Sequence, residues 1–111
     1  MDEFENIIFE IISNGGNAKG LSYEAIACAE NGEFDKAYEL LKQADESLLK
    51  AHKIQTSILQ KEASGDHYEV NVLFVHAQDH LMSAMEIRVL AENLIKINKR
   101  LFDIEKTIKL D

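Results

Sequence analysis

Two imidazoles, a carboxamide and a carboxylate interrupt an otherwise apolar helical pattern in the run Val75-His76-Ala77-Gln78-Asp79-His80-Leu81-Met82. At about 100° per residue, His76, Asp79, His80 and Ser83 fall within roughly 100° of one another around a helix, on the i, i+3, i+4, i+7 face. Four polar groups on one strip of helix are suited to chemistry, since an imidazole can act as nucleophile, proton carrier or metal ligand. The plainer readings are a hydrogen-bonded interface histidine at position 76 and a solvated carboxylate at position 79. Zinc on the i, i+4 pair His76 and His80, with Asp79 beside them, is a third reading. The H-E-x-x-H pattern is absent, however, and no cysteine cluster completes such a site.

The elements that must carry this strip are helices. There is no proline, there are five glycines, and Ala, Leu, Ile, Glu and Lys abound, so little interrupts a helix and much favours one. Turn signals give three segments. The first, Phe4 to Ala29, has a weak place at Asn14-Gly15-Gly16-Asn17 and again at Gly20, where a kink is expected; Asn31-Gly32 then supplies a left-handed stop. The second, Phe34 to about Ala63, repeats Ala37, Leu41, Ala44, Leu48 and Ala51 in steps of four and three, a packing seam narrow enough for close helices. Ser64-Gly65 closes it. Asp66, with Glu69 three residues on, reads as the cap of a third segment from about His67 to Lys109.

That third segment has two apolar rows. One is Leu73, Ala77, Leu81, Ala84, Ile87, Ala91, Leu94 and Leu101; the other is Val72, Val75, Asp79, Met82 and Val89, with Asp79 in a hydrophobe's place. A helix needing cover on two sides cannot be satisfied by two neighbours within so short a chain, so self-association is expected. A polar residue within an apolar seam fixes register and oligomer state at a cost in stability.

At 111 residues the chain is expected to form a single domain, 1–111. A net charge of −8 opposes nonspecific attraction to nucleic acid or anionic membranes. The acidic start Met1-Asp2-Glu3-Phe4-Glu5 is unlike a signal peptide, and no apolar run approaches the ~20 residues a bilayer requires, so a cytoplasmic protein is expected. Cys28, in an alanine-rich run, reads as a small buried residue.

Several blocks together carry a resemblance. The run from Val75 to Met82 resembles the phosphorylation motif of the lactose/cellobiose-type IIA component of the bacterial phosphoenolpyruvate-dependent sugar phosphotransferase system. Ala51-His52-Lys53-Ile54-Gln55-Thr56, ending in Glu62-Ala63-Ser64-Gly65, is similar to that family's A-H-x-x-Q-T segment and its E-A-x-G ending. Glu30-Asn31-Gly32-Glu33-Phe34-Asp35-Lys36-Ala37 resembles its first interhelical turn, and Gly16-Asn17-Ala18-Lys19 extends the match, which runs from about Phe9 to Ile97. Lys19-Gly20 departs from the Arg-Ser common there. The stretch beyond Arg100 lies outside the family core.

The resemblance implies an all-α, antiparallel three-helix protomer that assembles as a homotrimer. It implies that His76 carries the phosphoryl group, with phospho-HPr as donor and a cysteine of the cognate IIB component as acceptor, on the way to a disaccharide imported by a IIC permease. It places His80 as a second histidine at the site. It also places Asp79 on the trimer axis, where three copies would surround a divalent metal; hard oxygen ligation suits Mg²⁺, one per trimer.

The chemistry agrees: an imidazole with an ordinary pKa of about 6.5 is largely a neutral nucleophile near pH 7. The added charge of nearly −2 needs donors, for which His80, the Gln78 carboxamide and Ser83 are at hand. His52 and Gln55 read as polar groups of an interhelical contact, and His67 as unremarkable. Ala77 leans toward cellobiose- or chitobiose-type members, since lactose-type members often have glycine there. The competing class is a non-enzymatic trimeric helical module in which these residues only set register; a metal sensor is a further alternative.

Overall fold

The computed structural model describes residues 2–108, which form three helices: α1 (Glu3–Glu30), α2 (Phe34–Ala63) and α3 (Val72–Ile108). They run up, down and up in a bundle measuring 63 × 25 × 20 Å, the all-α antiparallel protomer expected. α1 packs along both partners, whereas α2 and α3 meet each other sparsely. One side of α3 is thereby left without cover.

Local chemistry sets the ends. The Asp2 carboxylate caps α1 by accepting the Glu5 N–H at 2.8 Å. At the far end, Gly32 at φ 81° lets its N–H reach the Ala29 carbonyl and the Glu33 N–H reach that of Cys28, at 3.0 and 2.9 Å. Gly65, at φ 91°, repeats this arrangement after α2, with Asp66 bonded back to Lys61. Both are Schellman closures, which use carbonyls that a helix end would otherwise orphan.

Three local expectations are corrected. α1 runs unbroken through Asn14–Asn17 and Gly20, because Gly15 is buried where α1 meets the backbone of α3 and that packing offsets the weak propensity of glycine. α3 begins at Val72 rather than near His67: Asp66 is occupied in closing α2, and the cap is Asn71, whose Oδ1 accepts the Phe74 N–H at 2.8 Å. The helix is described to Ile108; Lys109 lies outside the described residues.

The core is divided into three patches along the bundle. Ile8, Ile11, Ala51, Ile58, Ala77 and Leu81 fill the end nearest the α2–α3 connector. An alanine waist of Ala18, Ala44 and Ala84 follows, where small side chains let all three helices approach closely. Cys28 joins Leu40, Leu41, Ala91 and Ile95 at the opposite end, buried as expected.

In α3 the buried row is Ala77, Leu81, Ala84, Ala91 and Ile95, while Leu94 and Leu101 are exposed. The row read from sequence drifted because a near-heptad spacing slips about 20° per heptad on a straight helix. Val72, Val75, Asp79, Met82 and Val89 face outward, continuous with Leu90, Leu94, Ile97, Leu101, Ile104 and Ile108.

Candidate functional site

The start of α3 is clamped to the other two helices before its second turn presents His76. Phe4 of α1 stacks on Tyr68 of the connector (centroids 4.2 Å apart, planes at 10°) and meets Phe74 edge-on at 5.4 Å. From α2, the Lys61 ammonium donates to the Tyr68 hydroxyl at 3.2 Å and lies 4.4 Å from its ring centroid. That hydrogen bond, aided by the nearby Asp66 carboxylate, raises the Lys61 pKa above its ordinary value. Ala77 and Leu81, fully buried, then fix the rotation of α3 about its axis.

With that rotation set, the His76 ring is exposed on one flank of α3, between the buried row and the uncovered apolar stripe. The half-buried His80 ring stands edge-on to it, centroids 4.5 Å apart and planes at 88°. His80 Nδ1 is buried and has no hydrogen-bond partner among the described residues. A neutral ring accommodates this best with a bare lone pair inside and its proton on Nε2, since an orphaned buried N–H is the rarer arrangement in folded proteins. Beneath it, a Cβ on Gly15 would lie 3.6 Å from the His80 carbonyl oxygen and 3.7 Å from Leu81 Cα, so α1 supports this turn backbone against backbone. Ser83 is half-buried on the same strip.

Asp79 is exposed within the apolar stripe. Among the described residues no three His, Cys, Asp or Glu side chains gather as a metal cluster, so the zinc set of His76, His80 and Asp79 is not assembled within one protomer. Asp79 offers a single carboxylate. Only its repetition by other copies would make an oxygen-ligand site of the kind a hard cation takes.

Gln78 goes elsewhere. Two residues on from His76, it is turned about 200° around the helix and faces α2. There its Oε1 accepts the Gln55 Nε2–H at 2.9 Å. The structure thus unites His76, His80 and Ser83 on one flank and sets Gln78 with Gln55 on the other. The contact expected of Gln55 is real, but its particular partner was not legible; the signal was the i, i+2 offset, which already separated Gln78 from His76.

His52 is exposed and lines an apolar groove of about 410 Å³ between α2 and α3 with Leu48, Leu49, Met85 and Val89. At its edge Arg88 makes a two-pronged ion pair with Asp45, Nε donating to Oδ1 at 2.6 Å and Nη2 to Oδ2 at 2.9 Å. The Asp45 carboxylate, with Glu92, raises the Arg88 pKa. Among the described residues no helix is long and apolar enough to cross a membrane.

Comparison with known proteins shows the family and the fold. The family described as "PTS system, Lactose/Cellobiose specific IIA subunit" matches residues 6–99. The chain is 44% identical over 100 residues to the lichenan-specific phosphotransferase enzyme IIA component of Bacillus subtilis, covering 90% of this chain and 91% of that protein. The crystal structure of the PTS cellobiose-specific enzyme IIA from Bacillus anthracis superposes with a TM-score of 0.90 at 40% identity, covering 93% of this chain and 94% of the other. The IIA(Chitobiose) chain, solved in complex with HPr from the N,N'-diacetylchitobiose branch of the Escherichia coli phosphotransferase system, gives 0.79 at 34% identity, covering 91% and 98%. The chain belongs to the lactose/cellobiose-specific IIA family of the sugar phosphotransferase system.

Proposed function

We propose that this chain is a cytoplasmic phosphoryl carrier: His76 takes a phosphoryl group from phospho-HPr and hands it to a cysteine of the cognate IIB component, which serves a IIC permease importing a disaccharide. The observation that carries this reading is the exposed His76 ring with His80 beside it at 4.5 Å, on a flank an incoming protein can reach. The similar IIA(Chitobiose) chain, solved together with HPr, supports the choice of donor.

In the first step a His76 ring nitrogen attacks the phosphorus of phospho-HPr, and the new N–P bond forms as the bond to HPr breaks, its electron pair leaving on the donor. In the second, a IIB cysteine sulfur attacks the same phosphorus and His76 recovers its lone pair. Little is asked of the protein beyond alignment and charge compensation. His80 donates from Nε2 and Ser83 from its hydroxyl to the phosphoryl oxygens. Gln78, held by Gln55 on the opposite flank, reaches a phosphohistidine only across an interface between copies.

The uncovered stripe on α3 supports a homotrimer with the three α3 helices about its axis. Asp79 would then meet its two counterparts, and a divalent cation of Mg²⁺ type held by the three carboxylates would relieve their repulsion. The metal would supply charge neutralisation at the axis. Ala77 favours the cellobiose- or chitobiose-type branch over the lactose type. Incubation with phosphoenolpyruvate, enzyme I and HPr should place one acid-labile phosphate on each chain, and none on His76→Ala. An unlabelled wild type would favour the non-enzymatic helical module.

A further inference from the structure

The geometry points to Lys19 of α1 as the cation that offsets the phosphoryl charge on His76, and so helps to set how far the phosphoryl group passes from HPr onto this chain. This rests on the carrier reading above, and it assigns a role to a lysine that makes no ion pair among the described residues.

Two steps of two residues put the lysine and the histidine on one flank. On α3, Gln78 faces α2, and His76, two residues away, is turned about 200° from it, to the side that α2 does not cover. On α1, Asn17 faces α2, its Nδ2 donating to the Ser47 hydroxyl at 2.7 Å. Lys19, two residues on, is likewise turned about 200° away from α2. It still keeps to the seam with α3, because it shares a row with Gly15, one turn back, where a Cβ would lie 3.6 Å from the His80 carbonyl oxygen. The two helices run the same way, and Ala18 packs with Ala84 in the waist, so Lys19 stands one turn past His80. Helical side chains lean toward the N-terminus of their helix, which brings the Lys19 ammonium back toward His80 and the site.

The surroundings leave that charge free to act. Lys19 is half-buried, and its neighbours Gly16 and Gly20 have no atom within 4 Å of the place a Cβ would take, so the surface beside it is open. Along its row Ile12, Gly15, Ser22 and Tyr23 carry no charge. Arg88, by contrast, is committed to Asp45, and Lys61 to the Tyr68 hydroxyl. An ammonium without a carboxylate partner gains from a nearby phosphoryl group and gives up nothing to do so. On a chain of net charge −8 the added charge of nearly −2 is otherwise opposed. Lys19 forms no bond to phosphorus and moves no proton; it stabilises the charged product.

The test equilibrates the full chain with HPr, catalytic enzyme I and limiting phosphoenolpyruvate, and reads the ratio of phosphorylated chain to phosphorylated HPr on native gels. Lys19→Gln and Lys19→Met, which keep the stem, should lower that ratio about three- to fivefold at low salt, the size expected for an ammonium roughly two helical turns from a doubly charged group in water-like surroundings. Lys19→Arg should match wild type, and the deficits should shrink in high salt. Lys36→Gln makes the same change in net charge at the opposite end of the bundle and should also match wild type. Circular dichroism checks that each variant is helical. A ratio unchanged in Lys19→Gln and Lys19→Met, a deficit shared by Lys36→Gln, or one that neither arginine nor salt relieves would overturn the role of Lys19 alone. A wild type that takes no phosphate would overturn it together with the carrier reading.

Discussion

Gly15 offers a test in which the sign of the effect depends on the packing described. A Cβ there would meet the His80 carbonyl oxygen at 3.6 Å and Leu81 Cα at 3.7 Å, which is ordinary van der Waals contact. Gly15→Ala therefore removes the helix-interior glycine penalty without a clash and should stabilise the protein by about 0.8–1 kcal/mol. Gly15→Leu extends past Cβ toward backbone atoms that cannot swing aside, and overpacking of this kind costs about 1–3 kcal/mol. Gly16→Ala, with nothing within 4 Å of its added carbon, serves as the reference for propensity alone. Urea denaturation at one fixed protein concentration is the assay, since assembly couples apparent stability to concentration. Phosphoryl uptake should persist in Gly15→Ala and fall in Gly15→Leu, because the displaced backbone is that of His80. A loss of stability in Gly15→Ala, or an unharmed Gly15→Leu, would refute the close approach of α1 to the His80 turn.

Three further outcomes follow from named contacts. Asn71→Ala removes the α3 cap and should cost about 1 kcal/mol in denaturant unfolding, with slower uptake because His76 lies on the next turn. Asp79→Leu replaces mutually repelling carboxylates by a hydrophobe in an apolar stripe, so sedimentation should show a trimer at least as tight as wild type and calorimetry should show that the variant takes up no Mg²⁺. Dissociation of that variant would count against Asp79 at the axis. Arg88→Met breaks the two-pronged pair with Asp45 and should cost about 0.5–1 kcal/mol. The hydrogen-bonded Asp45 carboxylate raises the Arg88 pKa above its ordinary value, so the stabilising charge is present throughout the neutral and mildly alkaline range and is lost only as pH rises through the raised value. The Arg88→Met deficit should accordingly stay constant from neutral to mildly alkaline pH.

The helices were legible because proline is missing and glycine closes both α1 and α2 at positive φ, as Gly32 and Gly65 show. The alternation of Ala37, Leu41, Ala44, Leu48 and Ala51 marked the inner face of α2 correctly, Leu48 being half-buried and the others buried. The strip of His76, His80 and Ser83 could be read from i, i+4, i+7 spacing alone. What escaped was decided by competition between partners. Asp66 with Glu69 imitates a capping box, yet the Schellman closure and the Tyr68–Phe4 stack claim that connector, leaving Asn71 to start α3. Gly15 and Gly16 weaken a helix in isolation, but contact with α3 at Gly15 stabilises what propensity discourages. The destination of Gln78 required knowing where α2 lies, which periodicity along one chain does not specify.

The imidazoles themselves report which ring carries the phosphoryl group. Nitrogen–proton NMR of the four histidines, His52, His67, His76 and His80, would be recorded before and after addition of enzyme I, HPr and phosphoenolpyruvate, then again after addition of the cognate IIB component. His76 alone should acquire the signature of a phosphorylated ring and lose it when IIB arrives. Phosphate on another histidine, or four unchanged rings, would contradict this assignment.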